Sequence, residues 1–200
     1  MTRLRQFGRD QSGASAAEFA LVLPLLLLLI FGTIDVGRYA WNLSQAEKAT
    51  QTGARWAVAT DMVASGLYSY SFATSSGVPQ GTTVSQSLFP DVTCDNSACT
   101  CSGSCVFPTT RNAAAFTALV TRMAQIYPGL TANNVVVKYS YSGLGFAGDP
   151  NGPDVAPLTT VSLQNVRYTP FTSFIFGGQI TLPQFAYTLP MEDGSGTSSN

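Results

Sequence analysis

Four cysteines fall within a stretch of 12 residues, in the pattern C-x4-C-x-C-x3-C, and could form covalent cross-links. They are Cys94, Cys99, Cys101 and Cys105. In an exported domain, an even number of cysteines indicates disulfides, and four cysteines allow three pairings. A bond between Cys99 and Cys101 would close a one-residue loop, which strains disulfide geometry and disfavours the nested pairing. The other two pairings remain open.

Metal binding and catalysis are the competing chemistries. Four thiolates can hold zinc, but the paired C-x2-C spacing of structural zinc sites is absent, so a disulfide-stapled loop is favoured. The 200 residues include no histidine, which removes the commonest general base and metal ligand. Two carboxylates, Asp149 and Asp154, lie in a turn whose spacing is not that of an EF-hand, so a simple turn is favoured over calcium. We therefore predict no catalytic residue, metal or cofactor.

One carboxylate, Glu18, lies at the start of a long apolar stretch. Residues 19–34 carry no charge, and counting from Ala14 gives 21 residues. As a helix, this longer stretch measures roughly 31 Å, about the thickness of the hydrocarbon core of a bilayer. An ionisable residue within such a span costs about 2.5–3.5 kcal/mol, so Glu18 is a candidate functional residue.

The string from Gly13 to Phe19, GASAAEF, followed by a leucine-rich run, resembles the processing site of type IV-like prepilins. The longer string GASAAEFALVLPLLLLLIFGTIDVGRYAW resembles more narrowly the TadE-like family, the minor pseudopilins of tight-adherence (Flp) pilus systems. The resemblance covers about residues 10–60. It implies that a prepilin peptidase cuts after Gly13, so that Ala14 becomes the first residue and Glu18 the fifth.

The same resemblance implies a membrane-anchored minor pseudopilin that takes part in pilus assembly and is not an enzyme. Its partners would be the prepilin peptidase, other pilins or pseudopilins, the assembly platform and membrane lipid, with homo- or hetero-oligomers formed through the N-terminal helix. Arg3, Arg5 and Arg9 precede the span. The positive-inside rule therefore predicts a single-pass protein of the inner membrane, with a cytoplasmic leader and a periplasmic or cell-surface C-terminal domain. No basic surface indicates binding to nucleic acid.

Apolar stretches of this length also occur in proteins that have no role in pili. The protein could be an uncleaved single-span anchor that carries a binding or adhesin domain, or a periplasmic enzyme. A secretory signal peptide would end at small residues of the A-x-A type, whereas this run ends in Asp35-Val36-Gly37. A buried helix of a soluble protein is disfavoured because Leu21–Ile30 is apolar on all sides.

The first predicted element, which positions the candidate processing residues, is one long helix. Residues 1–13 form the leader, and residues 14–64 form a transmembrane and extended helix that reaches about Thr60 and stops by Ser65-Gly66. Pro24 predicts a bend, because proline cannot donate to the carbonyl of Ala20. That bend either helps subunits to pack or has no role. After cleavage, the α-amine of Ala14 could neutralise Glu18 on the same or an adjacent chain and so set the subunit register.

We predict an α+β fold, with the head after the long helix. Residues 65–107 form an irregular cysteine-containing segment with a short strand at residues 68–72. Residues 108–194 combine an amphipathic helix over residues 109–127, capped by Thr109 or Thr110, with antiparallel strands.

Three finer features of the last third are predicted. Shifts in the strand phase predict a bulge near Gln164-Asn165, and a bulge or an edge strand around Pro183. The apolar loop from Phe171 to Phe176 is expected to pack under its own sheet, with the bilayer surface or a neighbouring subunit as the alternatives. Residues 195–200 are predicted to be a disordered tail.

Overall fold

The computed structural model describes residues 12–198, which form two compact units. One unit comprises residues 12–41 and 168–180, and the other comprises residues 42–167 and 181–198. A long helix, short helices and an antiparallel sheet confirm the predicted α+β class. Residues 1–11, which make up most of the predicted leader, lie outside the described residues.

The first element, helix α1, runs without interruption from Ser12 to Ala59 over 48 residues. Its first half is rich in leucine and alanine, which lose little conformational freedom in a helix. Pro24 lies inside the helix, which continues on both sides of it. Only 6% of the most apolar 18-residue window is buried, so these side chains do not form part of a protein core.

The second half of α1 carries a buried stripe of small residues. Its buried members recur at spacings of three and four: Ala46, Ala49, Thr50, Gly53, Ala54, Ala57 and Val58. A Cβ added to Gly53 would lie 2.6 Å from the sulfur of Met123. Glu47 and Lys48 face solvent. The absence of a side chain at Gly53 thus allows close packing against Met123.

The expected helix stop at Ser65-Gly66 is wrong. Helix α1 ends at Ala59, and these two residues begin a short helix, α2 (Ser65–Tyr68). The reason is packing, because a Cβ on Gly66 would lie 2.5 Å from the carbonyl oxygen of Pro108. The glycine therefore permits a close backbone approach rather than ending the long helix.

Five antiparallel strands form the main sheet, in the order β2-β1-β3-β4-β7. Their bounds are Val92–Cys94 (β1), Cys99–Cys101 (β2), Val135–Ser140 (β3), Leu158–Leu163 (β4) and Phe185–Pro190 (β7). Strand β3 pairs with β1 and β4, and its residues alternate between buried and half-buried. A separate two-stranded sheet contains β5 (Arg167–Tyr168) and β6 (Ile180–Thr181).

The amphipathic helix of the head is shorter than predicted. It spans Ala113–Ala124 (α4), and its cap is Asn112, whose side chain accepts the N–H of Ala115 at 3.1 Å. Asn112 therefore replaces Thr109 or Thr110, because its amide oxygen satisfies a free N–H of the first turn. The predicted apolar face is confirmed, since Phe116, Leu119 and Met123 are buried.

The strand predicted at residues 68–72 is wrong. This region contains α2 and a second short helix, α3 (Phe72–Ser75). The alternating aromatic residues pack into a cluster instead of lining a strand. The ring centroids of Tyr70 and Phe72 are 4.9 Å apart, and Phe72 also packs on Phe107 at 6.1 Å. Aromatic residues at every second position indicated a strand, but here the same spacing results from the packing of the rings against one another.

The predicted bulges are also absent, because the chain changes sheets at both places. After β4, Asn165 adopts a positive φ of 57° and the chain enters β5 of the small sheet. Pro183 lies in no strand, because the chain leaves β6 for β7, an edge strand of the main sheet, over residues 182–184.

Part of the predicted disordered tail is held in place. Gly196 forms two hydrogen bonds with Asp61. Its carbonyl oxygen accepts the Asp61 N–H at 2.8 Å, and its own N–H donates to the Asp61 carboxylate at 2.7 Å. The two bonds fix the backbone of Gly196, so disorder is the wrong description there. Residues 199 and 200 lie outside the described residues.

Candidate functional site

The predicted processing residues lie in the first turns of α1. Among the described residues 12–198, no atom lies within 4 Å of a Cβ added to Gly13, so packing in this part of the chain does not require glycine there. Glycine inside a helix is about 0.5–1 kcal/mol less favourable than alanine, which means that the helix does not favour it either. Phe19 is 62% exposed. The identities of these residues are therefore not explained by contacts within the described chain.

Glu18 is exposed and forms no ion pair within residues 12–198. Positions 14 and 18 are four residues apart, and such positions lie on the same face of a helix. Residue 14 therefore lies one helical turn before Glu18, on the same side of α1. This geometry suits an attraction between the backbone nitrogen of Ala14 and the Glu18 carboxylate only when that nitrogen is a free, charged amine.

The surface that follows Glu18 is strongly apolar. Leu21, Leu25 and Leu29 recur every four residues and are 80%, 71% and 66% exposed. A continuous apolar surface of this length is unstable in water and indicates contact with lipid or with other helices. By length and composition, α1 is the one helix among the described residues that could cross a membrane.

Asp35 marks the end of this apolar surface and is only 7% exposed. Its carboxylate accepts the backbone N–H of Phe171 at 2.6 Å and that of Thr172 at 2.8 Å. It also accepts the Thr172 hydroxyl at 2.7 Å, while the hydroxyl of Tyr168 donates to the Asp35 carbonyl oxygen at 3.1 Å. Asp35 therefore fastens a distant loop to the helix with charge-assisted hydrogen bonds.

Aromatic contacts continue this attachment along the next turn of α1. The guanidinium of Arg38 lies 4.1 Å from the ring centroid of Phe171, a distance suited to a cation–π contact. Tyr39 packs edge-to-face on Tyr168, with ring centroids 5.7 Å apart. Trp41 is 66% exposed. A charged residue followed by aromatic residues is typical of a membrane–water interface.

The prediction that the apolar loop packs under its own sheet is wrong. Phe171 is 57% exposed, Phe174 95%, Ile175 56% and Phe176 72%. The loop is held by its backbone at Asp35, so its side chains can stay outside the core. Sequence reasoning missed Asp35. The available signal was a lone carboxylate directly after an uncharged run, although its partners lie more than 130 residues away.

The four cysteines form two disulfides, Cys94–Cys99 and Cys101–Cys105, which decides between the two open pairings. The first bond joins directly opposed residues of β1 and β2. In the turn between them, the Asp95 carboxylate accepts the Ser97 hydroxyl at 2.6 Å and the N–H groups of Ser97 and Ala98. These hydrogen bonds, with that of the Ser97 side chain foremost, lower the pKa of Asp95.

The carboxylates considered for calcium are used in hydrogen bonds within the fold. Asp154 is buried and accepts the N–H groups of Phe72 at 2.6 Å and Asp149 at 3.1 Å. Asp149 accepts the N–H of Asn151 at 2.9 Å. Two of these contacts lie within the turn, and the third ties Asp154 to the start of helix α3, 82 residues away in sequence. Within residues 12–198, no group of three or more acidic, cysteine or histidine side chains is arranged to hold a metal ion.

Comparison with known protein families supports the resemblance of the N-terminal stretch to TadE-like proteins. The family model for TadE-like proteins matches residues 13–55. This stretch begins at Gly13 and includes Glu18, the apolar surface, Asp35 and the start of the buried stripe. The chain is therefore similar to TadE-like proteins over most of α1. Members of that family are structural components of pili, and the family is not known as a family of enzymes. No curated protein and no solved structure matches the chain.

Proposed function

We propose that this protein is a membrane-anchored minor pseudopilin that takes part in the assembly of a tight-adherence, type IVb-like pilus. One observation carries the proposal. The stretch similar to TadE-like proteins begins at Gly13 and extends along a single helix whose apolar half is exposed. Exposed leucines that are not needed for the core of the head fit a segment that lies first in lipid and then among other pilin helices.

Maturation is proposed to occur between Gly13 and Ala14. Gly13 has no left-handed backbone conformation, and no atom of residues 12–198 comes close to an added Cβ, so this part of the chain does not require glycine there. Recognition of this position by another protein explains why glycine is present. A peptidase that admits only a very small residue before the cleaved bond is such a protein. Residues 14, 18 and 19 would then form the start of the mature chain that the enzyme also contacts.

Cleavage would give Glu18 a partner. The new α-amine of Ala14 has an ordinary pKa near 8 and is therefore positively charged at neutral pH. Because Ala14 and Glu18 share one helix face, the amine can neutralise the carboxylate within one chain or between adjacent chains. Neutralisation offsets the cost of about 2.5–3.5 kcal/mol for a lone charge at membrane depth. An ion pair between chains would also fix the register of neighbouring subunits.

Assembly partners would contact the exposed half of α1. Gly32 and Gly37 also have no atom within 4 Å of an added Cβ, so another helix can approach closely at these positions. Other pilins and the assembly platform are the proposed partners. The basic residues before the span orient the leader toward the cytoplasm, with the head on the periplasmic side of the inner membrane.

The proposal is tested by replacing Gly13→Arg in the full chain, produced in cells that contain its prepilin peptidase. The matched control is Gln11→Arg, which adds the same charge to the leader two residues before the proposed cleavage site. We expect Gly13→Arg to retain the leader and Gln11→Arg to lose it, as measured by the intact mass of the membrane-extracted protein. Normal processing of Gly13→Arg would overturn the proposal.

A further inference from the structure

A short apolar segment, here called the aromatic foot, spans Phe171–Phe176. Its four large apolar side chains are all more than half exposed. Single exposed apolar residues are common on protein surfaces, but four among six consecutive residues form a patch that calls for a partner. Residues 168–180 contain no charged residue. The composition of the foot is therefore typical of a surface that is covered by lipid or by another protein.

The backbone N–H groups of the foot all have hydrogen-bond acceptors. It contains a short helix, α5 (Ser173–Phe176), in which the N–H of Ile175 and that of Phe176 both bond to the carbonyl of Thr172 at 3.0 Å. Asp35 accepts the N–H groups of Phe171 and Thr172. Satisfied N–H groups are a requirement for protein surfaces that enter lipid, where water cannot replace the missing partner.

The far end of the foot is closed by two glycines. Gly177 donates its N–H to the carbonyl of Ser173 at 2.7 Å. Gly177 and Gly178 have φ values of 70° and 98°, which are readily adopted only by glycine. The chain therefore turns sharply after Phe176 and leaves the apolar side chains at the tip of the loop.

The attachment point places the foot at the end of the apolar span. Asp35 directly follows the stretch from Ala14 to Ile34, whose helical length of roughly 31 Å matches a hydrocarbon core. Arg38, Tyr39 and Trp41 follow, and such residues anchor proteins at the headgroup level. The foot is thus attached at the residue that directly follows the stretch of α1 proposed to face lipid.

We propose that the aromatic foot inserts into the interfacial region of the exported-side leaflet of the membrane that α1 spans. It would act as a second lipid contact that fixes the depth of the helix, and Asp35 is the positioning residue that holds it there. The inference rests on the membrane anchorage in the proposed function but not on cleavage by a peptidase. A second copy of the chain is the competing occupant, and fluorescence quenching by lipid distinguishes the two.

The test uses the full chain in vesicles of phosphatidylcholine and phosphatidylglycerol, with the native Trp41 and Trp56 replaced by phenylalanine. A single tryptophan is introduced by Phe174→Trp, and lipids brominated at a shallow or a deep acyl position serve as quenchers. We expect blue-shifted emission that shallow bromines quench more strongly than deep ones. Two controls are Leu27→Trp, expected to be quenched by deep bromines, and Thr100→Trp on exposed β2, expected to remain unquenched.

Each other outcome would overturn the inference. An unquenched Phe174→Trp beside a quenched Leu27→Trp would show that α1 is anchored and that the foot is in water. A blue shift without quenching, present only at high protein density, would indicate a second copy of the chain. An unquenched Leu27→Trp would remove the anchorage itself, and the lipid role of the foot with it.

The role of Asp35 is tested separately in the Phe174→Trp background. Asp35→Ala removes every acceptor for the N–H groups of residues 171 and 172, so we expect the shallow quenching to fall at least severalfold. Thr33→Ala is the matched control, because the Thr33 hydroxyl bonds only to the Ile30 carbonyl within α1 at 2.8 Å. Unchanged quenching in Asp35→Ala would contradict the positioning role.

Discussion

The two halves of α1 share one helix but place opposite kinds of side chain on their surfaces. In residues 12–41 large apolar side chains are exposed, as at Leu21, which is 80% exposed. In residues 42–59 small side chains are buried, as at Ala54, which is 0% exposed. Large side chains maximise contact with a fluid apolar solvent, whereas small ones allow close approach of a rigid neighbour. The difference indicates that each half is adapted to a different surrounding.

Glycines make the same contrast sharper. In the part of the chain that the structure describes, no atom lies within 4 Å of a Cβ added to Gly13, Gly32 or Gly37 in the first half. At Gly53 in the second half, the added Cβ would lie 2.6 Å from the Met123 sulfur. A glycine in the packed half therefore serves the fold, while a glycine in the exposed half is available to an external partner.

The largest expected effect concerns the packed half. Gly53→Leu places new atoms where Met123 lies, and Met123 is 0% exposed, so the side chain has little room to move. We expect the free energy of unfolding of the head to fall by about 1–3 kcal/mol, the usual range for overpacking. Thermal and denaturant unfolding of the detergent-solubilised chain would measure it.

Compensation at Met123 provides the control for this prediction. Met123→Ala alone should cost about 2–5 kcal/mol, because it leaves a cavity in the core. Combined with Gly53→Leu it should cost less than the sum of the two changes, since the leucine fills the cavity. Gly37→Leu in the exposed half should leave unfolding of the head unchanged. A loss at Gly37 equal to that at Gly53 would break the comparison between the two halves.

A second prediction tests the exposed half through Glu18→Ala. Removing the carboxylate eliminates an insertion cost of about 2.5–3.5 kcal/mol, so anchoring should be retained or improved. Leader removal should continue, but pilus output should fall at least severalfold, because the α-amine of Ala14 loses its partner. Sheared fibres and leader removal would be quantified in the same cells. Glu47→Ala, an exposed carboxylate of the packed half, is the control.

Unchanged pilus output in the Glu18→Ala variant would contradict the proposed role in subunit register. Equal losses in Glu18→Ala and Glu47→Ala would contradict the assignment of that role to the exposed half.

The smallest expected effect is an acid response confined to the head. Because the pKa of Asp95 is lowered in the folded turn, its hydrogen bonds contribute fully above the ordinary pKa of 3.8. That contribution is lost as the pH falls through the lowered value. Hydrogen exchange of the Ser97 and Ala98 amides should therefore lose protection in acid. The pH dependence should disappear in Asp95→Asn, and its persistence there would exclude Asp95 as the cause.

Sequence patterns predict an element most reliably where many consecutive residues share one environment. The uncharged run before Asp35 predicts a long apolar helix, and residues 108–194 predict antiparallel strands. Both elements are confirmed, because each one presents a continuous surface over many consecutive residues.

Prediction fails where an identity depends on a distant neighbour. Asp35 matters because of backbone N–H groups at residues 171 and 172, and no local pattern encodes that contact. The disulfide pairing likewise required the register that places Cys94 opposite Cys99. At Gln164-Asn165 a local phase shift was visible, but it did not distinguish a bulge from a change of sheet.

The most direct test of the central claim is the N-terminal residue of the protein purified from its native membrane. Processing by a prepilin peptidase predicts a chain that starts at Ala14, with Glu18 as its fifth residue. A chain that starts at Met1 or Thr2 would contradict the claim and leave an uncleaved anchor for an exported domain. A start beyond Ile34 would contradict it differently, because it would identify the apolar stretch as an ordinary signal peptide.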